Sequence, residues 1–282
     1  MHTVLEISKE IEDFAPEFLK EDYDNVGLMV GDEQKEVKKV LLSLDCTNEV
    51  IKEAINLKCD LIINHHPLLF KRPSSIVKGD LIGDKIITLI KEDIALYSCH
   101  TNLDSAKNGI NETIVTMLGF KSSKIIETNE SGNYKDGGIG RIVKLEKEML
   151  FSDIIDIVKE KLNIKNMRIV RGNKKVKIIA IINGSGQDFF YKAKNLGADC
   201  IITGDTTYHF ASDFKEMGVS IIDAGHFSTE YIVFLKTLEF LKEKFNDIEF
   251  ITSKKSQDPY EFVWESKNNI NIKLNNYICW SK

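Results

Sequence analysis

Several signatures are missing from this 282-residue chain, and their absence narrows what it can be. Lys and Arg are scattered and the formal net charge is −5. No basic block supplies the electrostatic footprint of a nucleic-acid binder, so nucleic acid is not an expected partner. No apolar run approaches the ~20 residues that a membrane span needs. The first residues show no basic segment leading into an apolar one, so no secretory leader is expected and the cytoplasm is the expected compartment. The five cysteines, Cys46, Cys59, Cys99, Cys200 and Cys279, form no Cys-x-x-Cys pair. Thiols scattered among apolar runs argue against a zinc knuckle or a disulfide framework and predict buried, reduced side chains.

What is present is a globular composition, 43% hydrophobic and 29% charged, with length enough for two domains. The hydrophobic pattern alternates. A helix is expected over 3–11, limited by Pro16, then a turn-rich stretch at 22–27. Strands are expected at 40–44, 61–63 and 94–99, and helices at 48–57, 81–90 and from about 111 to Gly119. This β-α-β-α-β-α order implies a parallel sheet. The middle, 122–175, reads as less orderly, with a glycine-rich turn and tight crossing at Gly137, Gly138 and Gly140 and a helix over 152–162. Alternation resumes with strands at 176–182, 200–202 and 219–222, helices at 187–196, 207–217 and 229–245, and a final strand at 248–252.

The two alternating parts resemble each other. Asn56-Leu57-Lys58-Cys59-Asp60-Leu61-Ile62-Ile63 aligns with Asn195-Leu196-Gly197-Ala198-Asp199-Cys200-Ile201-Ile202. Each is followed by a strand and then a His with an acid four places later, His100 with Asp104 and His226 with Glu230. Such repetition suggests an ancient duplication.

Histidine is scarce, six in all, and its placement is informative. His65, His100 and His226 fall at or just past the ends of apolar strands, where open α/β sheets bind ligands. His66 and Pro67 follow His65, and the proline ends the strand. A lone His-His pair reads more simply as one surface and one core residue. Asp104 alone reads as a turn or helix cap, and Glu230 alone as an acid favoured in a first helical turn. Taken together, three imidazoles and two carboxylates make a donor set suited to Zn, Mn, Fe, Co or Ni. The expected ligands are His65, His66, Asp104, His226 and Glu230. His100 is either a further ligand or a donor that orients a carboxylate. Two cations sharing a carboxylate would lie ~3.5–4 Å apart, the spacing of hydrolytic two-metal centres. Asn183-Gly184-Ser185-Gly186-Gln187 reads as a plain strand-to-helix connection in preference to an anion cradle. His209 reads as an exposed helix residue.

These motifs are found together in a known family. Asp24-Asn25-Val26-Gly27-Leu28, His65-His66-Pro67-Leu68, His100-Thr101-Asn102-Leu103-Asp104, Thr203-Gly204-Asp205 and Gly225-His226-Phe227-Ser228-Thr229-Glu230 resemble the GTP cyclohydrolase 1 type 2 homolog family, the NIF-three-like proteins. The resemblance runs to about Val263. It implies an α/β fold of two related domains, 1–125 and 126–263, with residues 226–245 returning to a dinuclear divalent-metal site in the cleft between them. The middle is too short for an inserted domain, so the chain resembles the short form. A toroidal homohexamer is also implied. Residues 264–282 depart from the family pattern as an extension. Two functions follow as expectations. One is a metal-dependent hydrolase of nucleotide-like or other small phosphorylated molecules, with His100 or Glu230 assisting proton transfer. The other is a non-enzymatic metal-binding or regulatory assembly.

Overall fold

The computed structural model describes residues 1–121, 123–129 and 136–263; the extension expected at 264–282 lies outside them. The first part runs β1 (His2–Thr3), α1 (Val4–Phe14), β2 (Gly27–Val30), β3 (Glu36–Val37), β4 (Lys39–Ser43), α2 (Asn48–Leu57), β5 (Leu61–Asn64), α3 (Leu81–Lys91), β6 (Ala95–Ser98), α4 (Thr101–Ser105) and α5 (Ile110–Met117). The second runs β7 (Lys124–Thr128), β8 (Gly138–Leu150), α6 (Phe151–Lys161), β9 (Arg168–Val170), β10 (Lys175–Ile181), α7 (Phe190–Asn195), β11 (Cys200–Thr203), α8 (Tyr208–Glu216), β12 (Ser220–Asp223), α9 (His226–Thr237), α10 (Glu239–Lys244) and β13 (Glu249–Thr252). Local chemistry sets several ends. Thr3 and Glu6 close a reciprocal capping box on α1, and Thr47 and Asp80 accept from Val50 N and Gly83 N at the starts of α2 and α3.

Beyond the short β1–β3 ladder, the strands form two sheets, ordered β13-β4-β5-β6-β2 and β7-β8-β10-β11-β12-β9. The centre of each is parallel, as the alternation implies, with an antiparallel strand at one edge of the first sheet and antiparallel strands at both edges of the second. The observed elements differ from the expected ones in places. The middle stretch is not irregular: it holds β7, the 13-residue β8, α6 and β9. Only the first half of β8 is consistently buried, so its polar second half, Lys144 to Glu148, hid the strand. The turn-rich 22–27 stretch leads into β2, which closes the first sheet against β6. Within the range 126–263, β13 pairs in parallel with β4 of the first sheet. The helix expected at 229–245 begins earlier, at His226, and breaks at Leu238 into α9 and α10. At Gly138, a side chain would meet Glu127 O at 2.0 Å, so the expected tight crossing is where β7 and β8 meet.

Each central strand is apolar because both of its faces are covered. Leu42, Ile63 and Tyr97 of the first sheet share a core with Ile179, Ile181 and Ile222 of the second, through α1, α5, α6 and α9. Leu41, Ile62 and Leu96 point the other way, beneath α2 and α3. Ala180, Ile201 and Ile221 pack with Phe190 and Phe214 of α7 and α8. The result is a layered α/β assembly with the two sheets facing across shared helices. Cys46, Cys59, Cys99 and Cys200 are buried free thiols.

The repeated octapeptide does the same work twice. Asp60 Oδ2 accepts from Lys38 N and Lys39 N at 2.8 and 3.0 Å. Asp199 Oδ2 accepts from Lys177 N and Ile178 N at 2.8 and 2.9 Å. Each aspartate clamps the start of one parallel strand to the start of its neighbour, at equivalent places in the two sheets.

Candidate metal centre

The equivalence carries to the other end of the strands. In the first sheet, β4 leads to Asp45, β5 to His65 and His66, and β6 to His100. In the second, β10 leads to Asn183, β11 to Gly204 and Asp205, and β12, through Gly225, to His226. Glu230 follows one turn later on α9. These carboxyl ends face one another, so side chains far apart in sequence meet there.

Four imidazoles gather at the meeting point. His65 lies 5.1 Å from His66 and 5.0 Å from His100, and His66 lies 5.0 Å from His226, between ring centroids. Each ring is held from behind at Nδ1. His65 Nδ1 donates to Cys99 O at 2.8 Å, His66 Nδ1 pairs with Asp45 Oδ1 at 2.8 Å, His100 Nδ1 with Asp24 Oδ1 at 2.9 Å, and His226 Nδ1 with Asp205 Oδ2 at 2.7 Å. A carbonyl or carboxylate behind one ring nitrogen fixes the tautomer and leaves Nε2 as the outward donor, the usual support of a metal-ligating histidine.

The two acids sit among these rings. Glu230 Oε2 lies 2.8 Å from His66 Nε2 and 2.9 Å from His226 Nε2. Asp104 and Glu230 are both buried, and the Asn183 amide donates to Asp104 Oδ1 at 2.8 Å and Glu230 Oε1 at 3.1 Å. Among the described residues, two sets of potential donor atoms come close enough to hold a cation: His65, His66 and His100, and His66, His226 and Glu230. His66 belongs to both.

One atom tests whether a cation fits. His65 Nε2 is buried and has no hydrogen-bond partner. Its Nδ1 proton is committed to Cys99 O, so Nε2 presents a lone pair. That lone pair faces Asp104 Oδ1 at 3.7 Å and Glu230 Oε1 at 3.9 Å, too long for hydrogen bonds. A buried lone pair opposed by two carboxylate oxygens is costly unless positive charge lies between them. Donors each ~2.0–2.2 Å from one cation lie roughly 3–4 Å apart, so the spacing suits a shared ion. Gly184 supplies the room: a side chain there would meet Glu230 Oε1 at 2.1 Å.

The electrostatics follow from these contacts. Burial pushes His65 down to about 3, keeping the ring neutral and ready to ligate. Burial also works against the charged forms of His66 and His226, but Asp45 and Glu230 outweigh it at His66, which is held at about 10. Glu230, with Asp205, outweighs it at His226, which is held at about 9. Burial and the charge of Glu230 raise Asp104 to about 7. Glu230 itself is drawn well below the usual carboxylate range, because His226 and His66 overcome its burial. Without a cation, the centre compensates with protons.

A family model described as Duf34/NIF3 (NGG1p interacting factor 3) matches residues 2–259. The chain belongs to this family. It is 55% identical over 255 residues to a GTP cyclohydrolase 1 type 2 homolog of Clostridium perfringens, covering 90% of this chain and 97% of that protein. A homologue of the same description from Clostridium acetobutylicum is 50% identical over 257 residues, covering 89% and 96%. Among solved structures, a Staphylococcus aureus hypothetical protein superimposes with a TM-score of 0.83 at 33% identity, covering 93% of this chain and 99% of that one. A Bacillus cereus protein related to NIF3 gives 0.83 at 26% identity, with the same coverage. The family and the α/β fold implied by the motifs are thus found.

All six residues singled out in the sequence, His65, His66, His100, Asp104, His226 and Glu230, lie in this one cluster. Asp45, Asp205, Asp24 and Asn183, which hold or orient them, carry no comparable signal alone. Asp24 and Asp205 fall within the family motifs, whereas Asp45 is marked only by following a strand. The Asn183-Gly184 turn is more than a plain connection, since it bridges the two acids and backs Glu230. His209 is exposed on α8 and takes no part.

Proposed function

We propose that this chain is a metal-dependent hydrolase with two divalent cations held by His65, His66, Asp104, His226 and Glu230, acting on nucleotide-like or other small phosphorylated molecules. The observation that carries this reading is the lone pair of His65 Nε2, buried opposite two carboxylates in a ring of imidazoles that are each tethered at Nδ1. Such a cation pair supplies Lewis acidity at a substrate oxygen. The chain's own residues do the rest. Asp45, Asp205 and the Cys99 carbonyl keep Nε2 of His66, His226 and His65 turned inward. Asn183 holds Asp104 and Glu230 apart as a bridged pair. His100 is backed by Asp24, which also accepts from Thr101 N at 3.1 Å and Thr101 Oγ1 at 2.5 Å. This mounting suits His100 to passing a proton to or from a substrate at its remaining nitrogen.

The proposal includes the two-domain division with the centre between the domains, a homohexameric state and a cytoplasmic setting. The first is supported by the meeting of the two sheets' carboxyl ends. Among the described residues, no helix is long and apolar enough to cross a membrane. Elemental analysis of protein purified without added metal should find about two divalent ions per chain. Metal-loaded protein screened against GTP and a panel of small phosphorylated compounds should turn one over. That turnover should vanish in His65→Ala and Glu230→Ala variants that remain folded. Bound metal without turnover on any compound would leave a metal-binding assembly in place of an enzyme.

A further inference from the structure

Beside the His66–His226 edge of the cluster lies a cavity of about 540 Å³, within the ~300–1,000 Å³ range of small-molecule sites. Its walls include the end of β4 at Leu44 and Asp45, the segment from Asn166 to Arg168, the stretch from the end of β12 into the start of α9, and a strap over 258–262, with His66 and Asp205. The strap follows β13 and is anchored close to the cluster. Ser256 Oγ accepts from Leu44 N at 2.9 Å, next to the aspartate that holds His66. Glu53 accepts from Ser253 Oγ at 2.5 Å and Lys254 N at 3.0 Å, and Tyr231 OH donates to Ser253 O at 2.7 Å.

The lining is unusual for a site facing a phosphate. It carries five carboxylates, Asp45, Asp205, Asp223, Asp258 and Glu261, against one guanidinium, Arg168, and the two imidazoles of His66 and His226. Arg168 donates through one terminal nitrogen, Nη2, to Asp223 and, at 3.1 Å, to Thr206 O. The remaining surface is apolar and aromatic, with Phe227 on one side and Tyr260 and Phe262 on the strap. Tyr260 is 73% exposed and Phe262 53% exposed, although both line a concavity. Flat π-faces that remain wet inside a hollow gain by stacking on a ligand ring. A carboxylate-rich wall accepts hydrogen bonds from N–H donors and repels added negative charge.

We infer that this cavity is the specificity pocket of the centre, and that it takes a flat, uncharged or cationic nitrogen heterocycle bearing N–H donors, the ring end of a nucleoside-like molecule. The inference rests on the hydrolase reading only for what happens to such a molecule. The cationic groups of the described lining, Arg168, His66 and His226, are each paired with a carboxylate, Asp223, Asp45 and Asp205, and Asp258 and Glu261 leave the wall with an excess of acid. Ring recognition and phosphate recognition are therefore divided between the pocket and the metal centre.

The test is equilibrium dialysis of adenosine, guanosine and inorganic pyrophosphate against the full chain, chelator-treated and metal-loaded. At least one nucleoside should bind both forms, and pyrophosphate only the loaded form. Tyr260→Ala and Phe262→Ala, both on the exposed strap, should each weaken nucleoside binding roughly tenfold, the scale of one base–aromatic stack. Tyr208→Ala, an exposed aromatic outside the pocket, should change nothing. The inference is overturned if neither nucleoside binds either form, if the strap variants bind as well as the parent chain, or if pyrophosphate binds the chelated protein as tightly as a nucleoside. The two readings fail separately. Turnover with strap-independent nucleoside binding would remove the pocket and keep the hydrolase. Strap-dependent binding without turnover on any substrate would do the reverse.

Discussion

The clearest probe of the centre's electrostatics is Glu230→Gln in metal-free protein. His66 Nε2 and His226 Nε2 lie 3.2 Å apart, and one carboxylate oxygen contacts both. With that charge removed, two protonated rings would repel by about 5 kcal/mol at an effective dielectric of ~20. Partial exposure of both rings roughly halves this, and one ring can lose its proton instead. Asp104, freed from the charge of Glu230, recovers part of the loss. A deficit of about 2 kcal/mol remains, below the ~3–5 kcal/mol expected when a fully buried ion pair loses one partner. For a chain of this size that corresponds to a fall in Tm of roughly 4–8 °C.

The pH dependence has a definite sign. Both imidazoles are held above their unfolded value of ~6.5, at about 10 and about 9. Their contribution is therefore fully present below pH ~6.5 and is lost as pH rises through 9 to 10. Glu230 is held low, so its contribution is present above ~4.3 and is lost as pH falls further. The difference between parent and variant should peak between pH ~4.5 and 6.5 and shrink towards pH 10. Denaturant unfolding of chelator-treated proteins across this range measures it. A deficit under about 1 kcal/mol at pH 6, or one that stays constant to pH 10, would refute the assignment.

Other outcomes follow from the same geometry. Metal uptake at pH 7 must expel the protons held on His66 and His226 and part of that on Asp104, so about two protons per chain should be released and affinity should rise with pH. Calorimetry in buffers of different ionisation enthalpy reads this directly, and heats that are independent of buffer would contradict it. Gly184→Ala should cost only ~1–2 kcal/mol of stability, from the positive φ of 53°, yet lower metal content several-fold, because the new methyl displaces Glu230; elemental analysis of the folded variant checks it. Asp60→Ala and Asp199→Ala should each destabilise by ~1–3 kcal/mol through lost clamps on two backbone N–H groups, to a similar extent and with metal content unchanged. Unequal effects in thermal melts would argue against equivalent roles.

The sequence by itself determined the two alternating halves, the parallel centre of each sheet, the matched aspartate motif and the six residues of the cluster. These are legible because they depend on local rules: apolar runs of strand length, a proline or glycine at a turn, and polar rings placed where a strand ends. Tertiary structure decided the rest. The long β8 was hidden because its polar half pairs in the sheet without being buried, and β13 returned to the first sheet because pairing partners need not be neighbours in sequence. The supporting side chains, Asp45, Asp205 and Asn183, have no local signature, since an aspartate or asparagine after a strand reads equally as a turn residue. Their role exists only once the carboxyl ends of two sheets face each other and bring Nε2 of His65 opposite two acids drawn from distant helices.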